Sequence, residues 1–237
     1  MVNFRRFLHK FYLGLVILFL YAPILVLIVL SFNSSKSRSK WGGFTTKWYS
    51  SMFANDTIML ALKDTLLIAV LSALLATVLG TVAAIAINHM RKVPSTIMLG
   101  ITNIPMLNAE IVTGISLMLL FLAINLNLGF FTVLLSHIAF NVPYVILSVM
   151  PKLAQTNQST YEAALDLGAT PLRAFFLVVF PDIFPGVISG FLLAFTLSLD
   201  DFIITHFTRG ATVNTLSTLI YSETRKGIKP EMYALST

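Results

Sequence analysis

Five long apolar runs constrain this chain more than any other feature of its sequence. They cover residues about 11–32, 60–87, 97–125, 130–150 and 178–205. A helix needs roughly 20 mostly apolar residues to cross about 30 Å of hydrocarbon, and each run is long enough. Because 57% of the residues are hydrophobic and only 11% are charged, a soluble domain of this length would leave much apolar surface in water. The sequence therefore predicts an all-α, polytopic integral membrane helical bundle, with the whole chain forming one transmembrane domain.

Several functional classes are disfavoured by what the sequence contains. There are no cysteines, hence no disulfide framework and no thiolate nucleophile or metal ligand. The four histidines are too dispersed to predict a metal site, and the 16 Lys and Arg residues are too scattered to predict nucleic-acid binding. No GxxxxGK[ST] motif occurs, so no P-loop for ATP is predicted. We therefore expect no catalytic residue, cofactor or metal in this chain, and we do not expect it to be an enzyme on its own.

The connections between the runs leave the membrane orientation open. Lys and Arg residues are almost equally divided between the two sides, so the positive-inside rule does not choose between them. Parity is firmer, because four runs separate the N-terminus from the polar segment 151–177. We therefore expect the N-terminus, residues 88–96 and residues 151–177 to share one side, with residues 33–59 and 206–237 on the other.

The polar segment before the fifth run has the pattern of a helix, a turn and a second helix. Residues 159–162 have the S-x-x-E form of a capping box, which predicts a helix start. Gly168 suits a helix C-terminus, and Thr170-Pro171 suits an N-cap followed by proline at the first helical position. Glu162 and Asp166 are four residues apart and share one face. The pattern predicts a compact knob with an acidic, small-residue front that could seat in another protein; a surface loop in which Glu162 only caps its own helix is the alternative.

The same segment resembles a known motif. The order Glu162-Ala163-Ala164, three residues, Gly168, nine residues and then VVFP at 178–181 is similar to the EAA loop of ABC-importer permeases. That pattern is EAA, three residues, Gly, nine residues and I-x-L-P, so the departures are one Val for Ile and one Phe for Leu. The resemblance implies a cytoplasmic loop that docks on an ATPase subunit, which would bind ATP and Mg in its place. It assigns this coupling to Glu162, Ala163, Ala164, Asp166 and Gly168.

The resemblance extends over nearly the whole chain. The stretches 31–49, 109–121, 136–145 and 193–210 are similar to the permeases of spermidine/putrescine importers, within the type I fold of ABC-importer permeases. Such permeases have six spans, so the resemblance implies a sixth span beyond PEMYALST at the end of this sequence. It also implies a bacterial cytoplasmic membrane protein with a cytoplasmic N-terminus.

The partners are implied in the same way. They are a homologous second permease, an ATPase dimer, an extracytoplasmic substrate-binding protein, a polyamine substrate and membrane lipid. Two alternatives stay open from the residues alone. One is an importer for another small solute, and the other is an ion-coupled secondary transporter, for which no paired broken helices are evident in the sequence.

Acidic residues within the apolar runs are the candidates for the substrate path. An ionisable group within a span costs about 2.5–3.5 kcal/mol on insertion scales, so it usually faces a cavity or a partner. Glu110, Asp200 and Asp201 qualify, and a polyamine needs carboxylates for its ammonium groups. Because successive helix residues are about 100° apart, we expect one of the two aspartates to line the path and the other to pair internally, with a slight preference for Asp201 on the path. Interfacial, solvated carboxylates are the alternative.

Two further predictions rest on weaker patterns. The resemblance adds Tyr221 to the substrate path. It also makes Tyr221, Glu223 and Lys226 candidates for the outer gate. His137 and Asn141 lie one turn apart on the fourth run, and we interpret them as interhelical hydrogen-bonding groups rather than a proton relay.

Overall fold

The computed structural model describes the backbone of residues 2–237, and it describes the side chains of residues 10–157 and 159–237. Within this part of the chain, helices form almost all the regular structure, and the strand-like pairing is an isolated antiparallel bridge between Asn33 and Phe44. The predicted all-α class is confirmed. The helices are α1 (Val2–Ser31), α2 (Lys47–Phe53), α3 (Asp56–His89), α4 (Lys92–Leu107), α5 (Glu110–Ala123), α6 (Phe130–Gln155), α7 (Gln158–Asp166), α8 (Pro171–Ala174), α9 (Phe180–Asp200), α10 (Ile203–Thr208), α11 (Leu216–Lys226) and α12 (Pro230–Ser236).

In the part of the chain that the structure describes, four helical stretches are long and apolar enough to cross a membrane by themselves. They are Lys10–Ser31, Asp56–His89, Phe130–Gln155 and Pro171–Asp200. The last joins α8 and α9 through a π-helical turn at Phe175–Val179. These four stretches overlap four of the five predicted spans, and polytopic membrane architecture follows from them.

The remaining predicted span, 97–125, is divided in the structure. Helices α4 and α5 meet at a bend of 101°, so they count as a fifth span only when the bent pair is taken together. Asn108 and Ala109 have extended ψ angles of 146° and 134°, and Pro105 lies in the last turn before them. Proline lacks a backbone N–H and weakens the helix around it. Glu110 therefore begins a new helix instead of lying inside a long one.

The chain divides into two compact units. The first comprises residues 1–60 and 219–237, and its apolar cluster is formed by Trp48, Met52, Ile58, Met232 and Ala234. Here α12 packs against both α1 and α2. The indole Nε1 of Trp48 donates to the carbonyl oxygen of Asn33 at 2.7 Å. This bond places the start of α2 against the end of α1.

The second unit, residues 61–218, is built around the pair α6 and α9. Glycines allow close approach at this contact. A Cβ atom on Gly190 would lie 3.2 Å from a methyl carbon of Val145, and one on Gly80 of α3 would lie 2.7 Å from the Cβ of the same valine. Gly186 lies one turn before Gly190 on α9, and small residues at this spacing let two helices approach closely. The helices α3, α6 and α9 therefore meet around Val145.

The fifth run is displaced from its predicted bounds of 178–205. The continuous helix begins at Pro171 and ends at Asp200. Asp201 leaves helical geometry with φ −59° and ψ 125°, and α10 starts two residues later. Hydropathy did not reveal this break, because the apolar run continues with Phe202, Ile203 and Ile204 after the two aspartates.

Candidate functional site

The helix–turn–helix predicted at 151–177 is present as α7 and α8. Gly168 has φ +85°, a left-handed conformation that glycine adopts without steric cost. The side chain of Thr170 accepts a hydrogen bond from the N–H of Arg173, with Pro171 at the first helical position. The helix start differs from the sequence prediction. Asn157, not Ser159, is the N-cap, since its side-chain oxygen accepts from the backbone N–H of Ser159.

The outer face of this segment is open to contact. Glu162, Ala163 and Asp166 are exposed, and nothing lies within 4 Å of a Cβ atom built on Gly168. Leu167, next to this glycine, is 89% exposed. Leu167 and the two carboxylates therefore share an open surface beside Gly168. The structure thus places the five predicted coupling residues on or beside one open face.

The inner side of α7 faces the ends of longer helices. A cavity of about 540 Å³ lies between them, with Tyr161 of α7 among its lining residues. Its other walls come from the ends of α3 and α6 and from the π-helical turn: Ile85, Asn88, His89, Leu153, Ala154, Thr156, Phe175 and Val179. A displacement of α7 would therefore reach three of the longer helices through this region.

At the far end of the Pro171–Asp200 helix, the two neighbouring aspartates point in different directions. Asp200 is exposed, whereas the side chain of Asp201 is only 5% exposed. The Oδ2 of Asp201 accepts from the backbone N–H of Thr205 and from its hydroxyl, both at 2.8 Å. Its Oδ1 accepts from the N–H of Ile204 at 3.3 Å. Asp201 thus satisfies the free N–H groups at the start of α10, as a capping carboxylate does.

A buried histidine completes this polar cluster. His137 of α6 is 2% exposed. Its Nδ1 lies 2.6 Å from the hydroxyl of Ser198 in α9, and its Nε2 lies 2.9 Å from the hydroxyl of Thr205 in α10. The same Nε2 is 3.4 Å from Oδ2 of Asp201. Ser72 of α3 adds a hydroxyl that donates to Ser198 at 3.0 Å.

The partners assign the direction of each bond. The Thr205 hydroxyl donates to Asp201, so its oxygen accepts the proton of the His137 Nε2–H. With the ring proton on Nε2 alone, Nδ1 accepts from the hydroxyl of Ser198, which in turn accepts from Ser72. This tautomer is inferred from the network. The four hydrogen bonds thus run in one direction, from Ser72 to the carboxylate of Asp201. A buried network in which each group has a partner rigidifies the structure around it.

Glu110 stands at the first turn of α5 and is exposed. One turn later, Gly114 packs against α10: a Cβ there would lie 3.4 Å from the Cα of Ile204. The carboxylate also lies close enough to Tyr144 of α6 for an electrostatic interaction. Glu110 therefore lies on α5, which packs against α10, the helix that follows the break after Asp200.

Tyr221 lies in the first unit, where its hydroxyl accepts a 2.7 Å hydrogen bond from Arg225. The guanidinium carbon of this arginine also lies 4.9 Å from the centre of the tyrosine ring. Glu223 is buried and pairs with Lys229 at 3.0 Å, while Lys226 is exposed. These contacts are local to the first unit.

Sequence reasoning found some members of this site and missed others. The prediction that His137 makes interhelical hydrogen bonds is confirmed. The same prediction for Asn141 is wrong, because neither polar atom of its buried side chain has a partner among the described residues. Ser198 and Thr205 were not predicted, although they stand three before and four after Asp201. The sequence signal that could have found these two residues is the presence of hydroxyl side chains at helical spacing around an acid in an apolar run. Among the described residues no group of His, Asp and Glu could hold a metal ion.

Comparison with known proteins identifies the family. Residues 76–226 match the family described as binding-protein-dependent transport system inner membrane component. The putrescine transport system permease protein PotI of Escherichia coli (strain K12) is 41% identical over 226 residues, which cover 92% of this chain and 80% of PotI. The spermidine/putrescine transport system permease protein PotC of the same organism is 38% identical over 232 residues, covering 98% of this chain and 88% of PotC.

The fold agrees with this match. A chain in the crystal structure of a bacterial ABC transporter involved in the import of the acidic polysaccharide alginate superposes with a TM-score of 0.73. The superposition covers 99% of this chain and 90% of the other, at 18% identity, so it supports the fold alone. The resemblance inferred from the EAA-like spacing is confirmed by the family match. This chain belongs to the inner membrane components of binding-protein-dependent transport systems, and it is a permease subunit of an ABC importer.

Proposed function

We propose that this permease moves spermidine or putrescine inward across a bacterial cytoplasmic membrane. It would do so together with a homologous second permease, two copies of an ATPase and an extracytoplasmic binding protein. The observation that carries the proposal is the similarity to two polyamine permeases over more than nine-tenths of the chain. ATP and Mg would bind the ATPase, which would supply the energy.

The exposed acids support a cationic substrate. Asp200 and Glu110 are open carboxylates at the ends of apolar helices, where an unpaired charge is costly. A polyamine carries several ammonium groups on a flexible chain, and each ammonium can pair with one carboxylate in turn. In this proposal Asp200 and Glu110 meet the substrate, whereas Tyr221, whose ring faces Arg225, stays a prediction. Asp201 does not meet the substrate, but its hydrogen bonds to the first turn of α10 hold the backbone next to Asp200 in place.

Coupling to the ATPase is assigned to the open face of α7. The helix that runs from Pro171 to Asp200 has 30 residues, and at 1.5 Å per residue it is about 45 Å long. One end therefore adjoins the coupling segment and the other carries the substrate-path aspartate. Closure of an ATPase dimer against Glu162 and its neighbours would tilt this helix. ATP can drive the conformational change only if the ATPase binds one of the two permease states more tightly than the other.

This assignment also fixes an orientation. If α7 docks on a cytoplasmic ATPase, then residues 88–96 and the N-terminus are cytoplasmic, by parity of the spans. Asp200 is then near the outer surface, where a binding protein would deliver its substrate.

The experiment is uptake into proteoliposomes that contain the full complex, loaded with ATP on the ATPase side. Labelled spermidine and putrescine are tested with the wild type, with Asp200→Asn and with Asp182→Asn. Asp182 is an exposed acid in the first turn of α9, whereas Asp200 ends that helix, so it is a matched control. We expect uptake to fall roughly tenfold for Asp200→Asn, the loss of about one charge-assisted contact, and to stay near wild type for Asp182→Asn. Absence of polyamine uptake from an assembled complex that hydrolyses ATP would direct the search to another small solute.

A further inference from the structure

We propose that His137 is a positioning residue that holds the break between α9 and α10 and thereby fixes the place of Asp200. This inference rests on the proposed role of Asp200 in the substrate path. It concerns a residue that touches neither the substrate nor the ATPase in the mechanism above.

The geometry of the imidazole carries the inference. Its Nδ1 bonds to Ser198, which precedes the break, and its Nε2 bonds to Thr205, which follows it. One rigid, planar ring thus joins two helices across the residues that include Asp200. Because the ring is 2% exposed, water does not compete for either bond. Removing the ring leaves two buried hydroxyls to find other partners, which costs free energy.

The backbone around the break depends on the same network. Asp201 accepts three hydrogen bonds from the first turn of α10, and the hydroxyl of Ser217 donates to its backbone carbonyl at 2.6 Å. Asp200 is the residue immediately before it and ends α9. The side chain of Asp200 is exposed, so its position follows from the backbone that Asp201 and His137 hold.

A second buried polar residue on α6 provides the control. Asn141 lies one turn from His137 and is fully buried, yet its amide has no hydrogen-bond partner among the described residues. Replacing it by leucine removes a polar group from the core without breaking a hydrogen bond. A general disturbance of the α6 core would appear in both Asn141→Leu and His137→Leu, whereas loss of the bridge would appear only in the second.

The first measurement does not require the substrate. The chain has no cysteine, so Asp200→Cys gives the permease a single labelling site. The purified permease is labelled with a nitroxide before assembly, and electron paramagnetic resonance then reports the mobility of the label in the assembled complex. We expect an ordered spectrum in the native background and with Asn141→Leu. With His137→Leu we expect a mobile component, and with His137→Gln, which keeps one donor and one acceptor, an intermediate spectrum. Ser198→Ala and Thr205→Val remove the two ends of the bridge singly and replace His137→Leu if that variant does not insert.

The second measurement is spermidine uptake with native Asp200. We expect His137→Leu to lower the rate roughly tenfold, the scale of one buried hydrogen bond lost without replacement, and Asn141→Leu to stay within about twofold. Equal spectra at position 200 for the histidine and asparagine variants would overturn the inference. If the spectra differ as expected but the wild type moves no polyamine, the positioning role stands and the proposed substrate fails.

Discussion

Gly186 of α9 approaches Ser148 of α6 so closely that a Cβ atom on the glycine would lie 2.9 Å from the serine carbonyl oxygen. Real Cβ atoms essentially never come this near to backbone, because repulsion rises steeply below van der Waals contact. Lys152 lies on the same side, with its Cγ also 2.9 Å from that Cβ position. The contact between the two central helices of the second unit therefore requires glycine at 186.

Gly186→Val should separate these helices and lower the stability of the permease. Overpacking of this kind costs about 1–3 kcal/mol, so we expect a lower midpoint of thermal unfolding in detergent and less assembled complex. The matched control is Gly100→Ala, since nothing lies within 4 Å of a Cβ at position 100 in α4. An unchanged midpoint for Gly186→Val would show that the helices can adjust without cost.

Glu162→Lys should uncouple ATP hydrolysis from transport without preventing insertion. The residue is exposed on the open face of α7, so its reversal leaves the fold intact but alters the charge offered to the ATPase. We expect uptake per ATP hydrolysed to fall about tenfold, the scale of a lost charge-assisted contact. The control is Asp56→Lys, an equal charge reversal at the exposed start of α3. Normal coupling in the Glu162 variant would remove α7 from the coupling surface.

A substitution at the turn after α7 tests the same surface through its backbone. Gly168 has φ +85°, and a residue with a Cβ pays about 1–2 kcal/mol in this conformation. Gly168→Ala should therefore shift Leu167 and weaken ATPase docking, measured by co-purification of the ATPase, while the thermal midpoint of the isolated permease changes little. Full retention of the ATPase would mean that the turn itself is unimportant for docking.

Asp200→Asn and Asp201→Asn should change different properties: we expect Asp201→Asn to lower the stability of the permease and Asp200→Asn to lower uptake. Asp201 is buried and accepts three hydrogen bonds at the start of α10, so its neutral amide would weaken charge-assisted bonds and place an NH2 donor against one of the two N–H groups. We expect a loss of about 1–3 kcal/mol of stability, seen as a lower thermal midpoint and faster hydrogen exchange at 203–208. Asp200→Asn should leave both unchanged and lower uptake only. The reverse pattern would show that Asp201 faces the substrate.

Asn33 organises the polar loop that follows α1. Its side chain accepts from the N–H groups of Ser35 and Gly42 at 3.1 and 2.8 Å, and donates to the carbonyl oxygen of Lys40 at 2.9 Å. Asn33→Ala should therefore release residues 34–42, which hydrogen exchange and limited proteolysis would detect as faster exchange and a new cleavage site. Ser39→Ala, at an exposed position of the same loop, should change neither. If residues 34–42 stay protected from exchange in Asn33→Ala, the segments that flank this loop hold it without the Asn33 amide.

The helical membrane class and the helix–turn–helix at 151–177 could be predicted from the sequence alone. Apolar length predicts spanning helices because lipid offers no partners for backbone polar groups, and this holds whatever the helices pack against. The turn at Gly168 and the cap at Thr170-Pro171 were also predictable, since caps and left-handed turns depend on a few neighbouring residues. Even there, the choice of Asn157 over Ser159 as the N-cap depended on competition between adjacent polar side chains.

Only the tertiary structure decided which of two adjacent aspartates is buried. Asp200 and Asp201 are chemically identical, and helical periodicity shows only that they face different ways. Asp201 turns inward because His137, 64 positions earlier in the numbering, and the first turn of α10 supply partners for a buried carboxylate, whereas Asp200 is exposed. The bend between α4 and α5 was hidden for a related reason. Hydropathy measures preference for lipid, but the direction of a helix is set by the long-range packing of its ends.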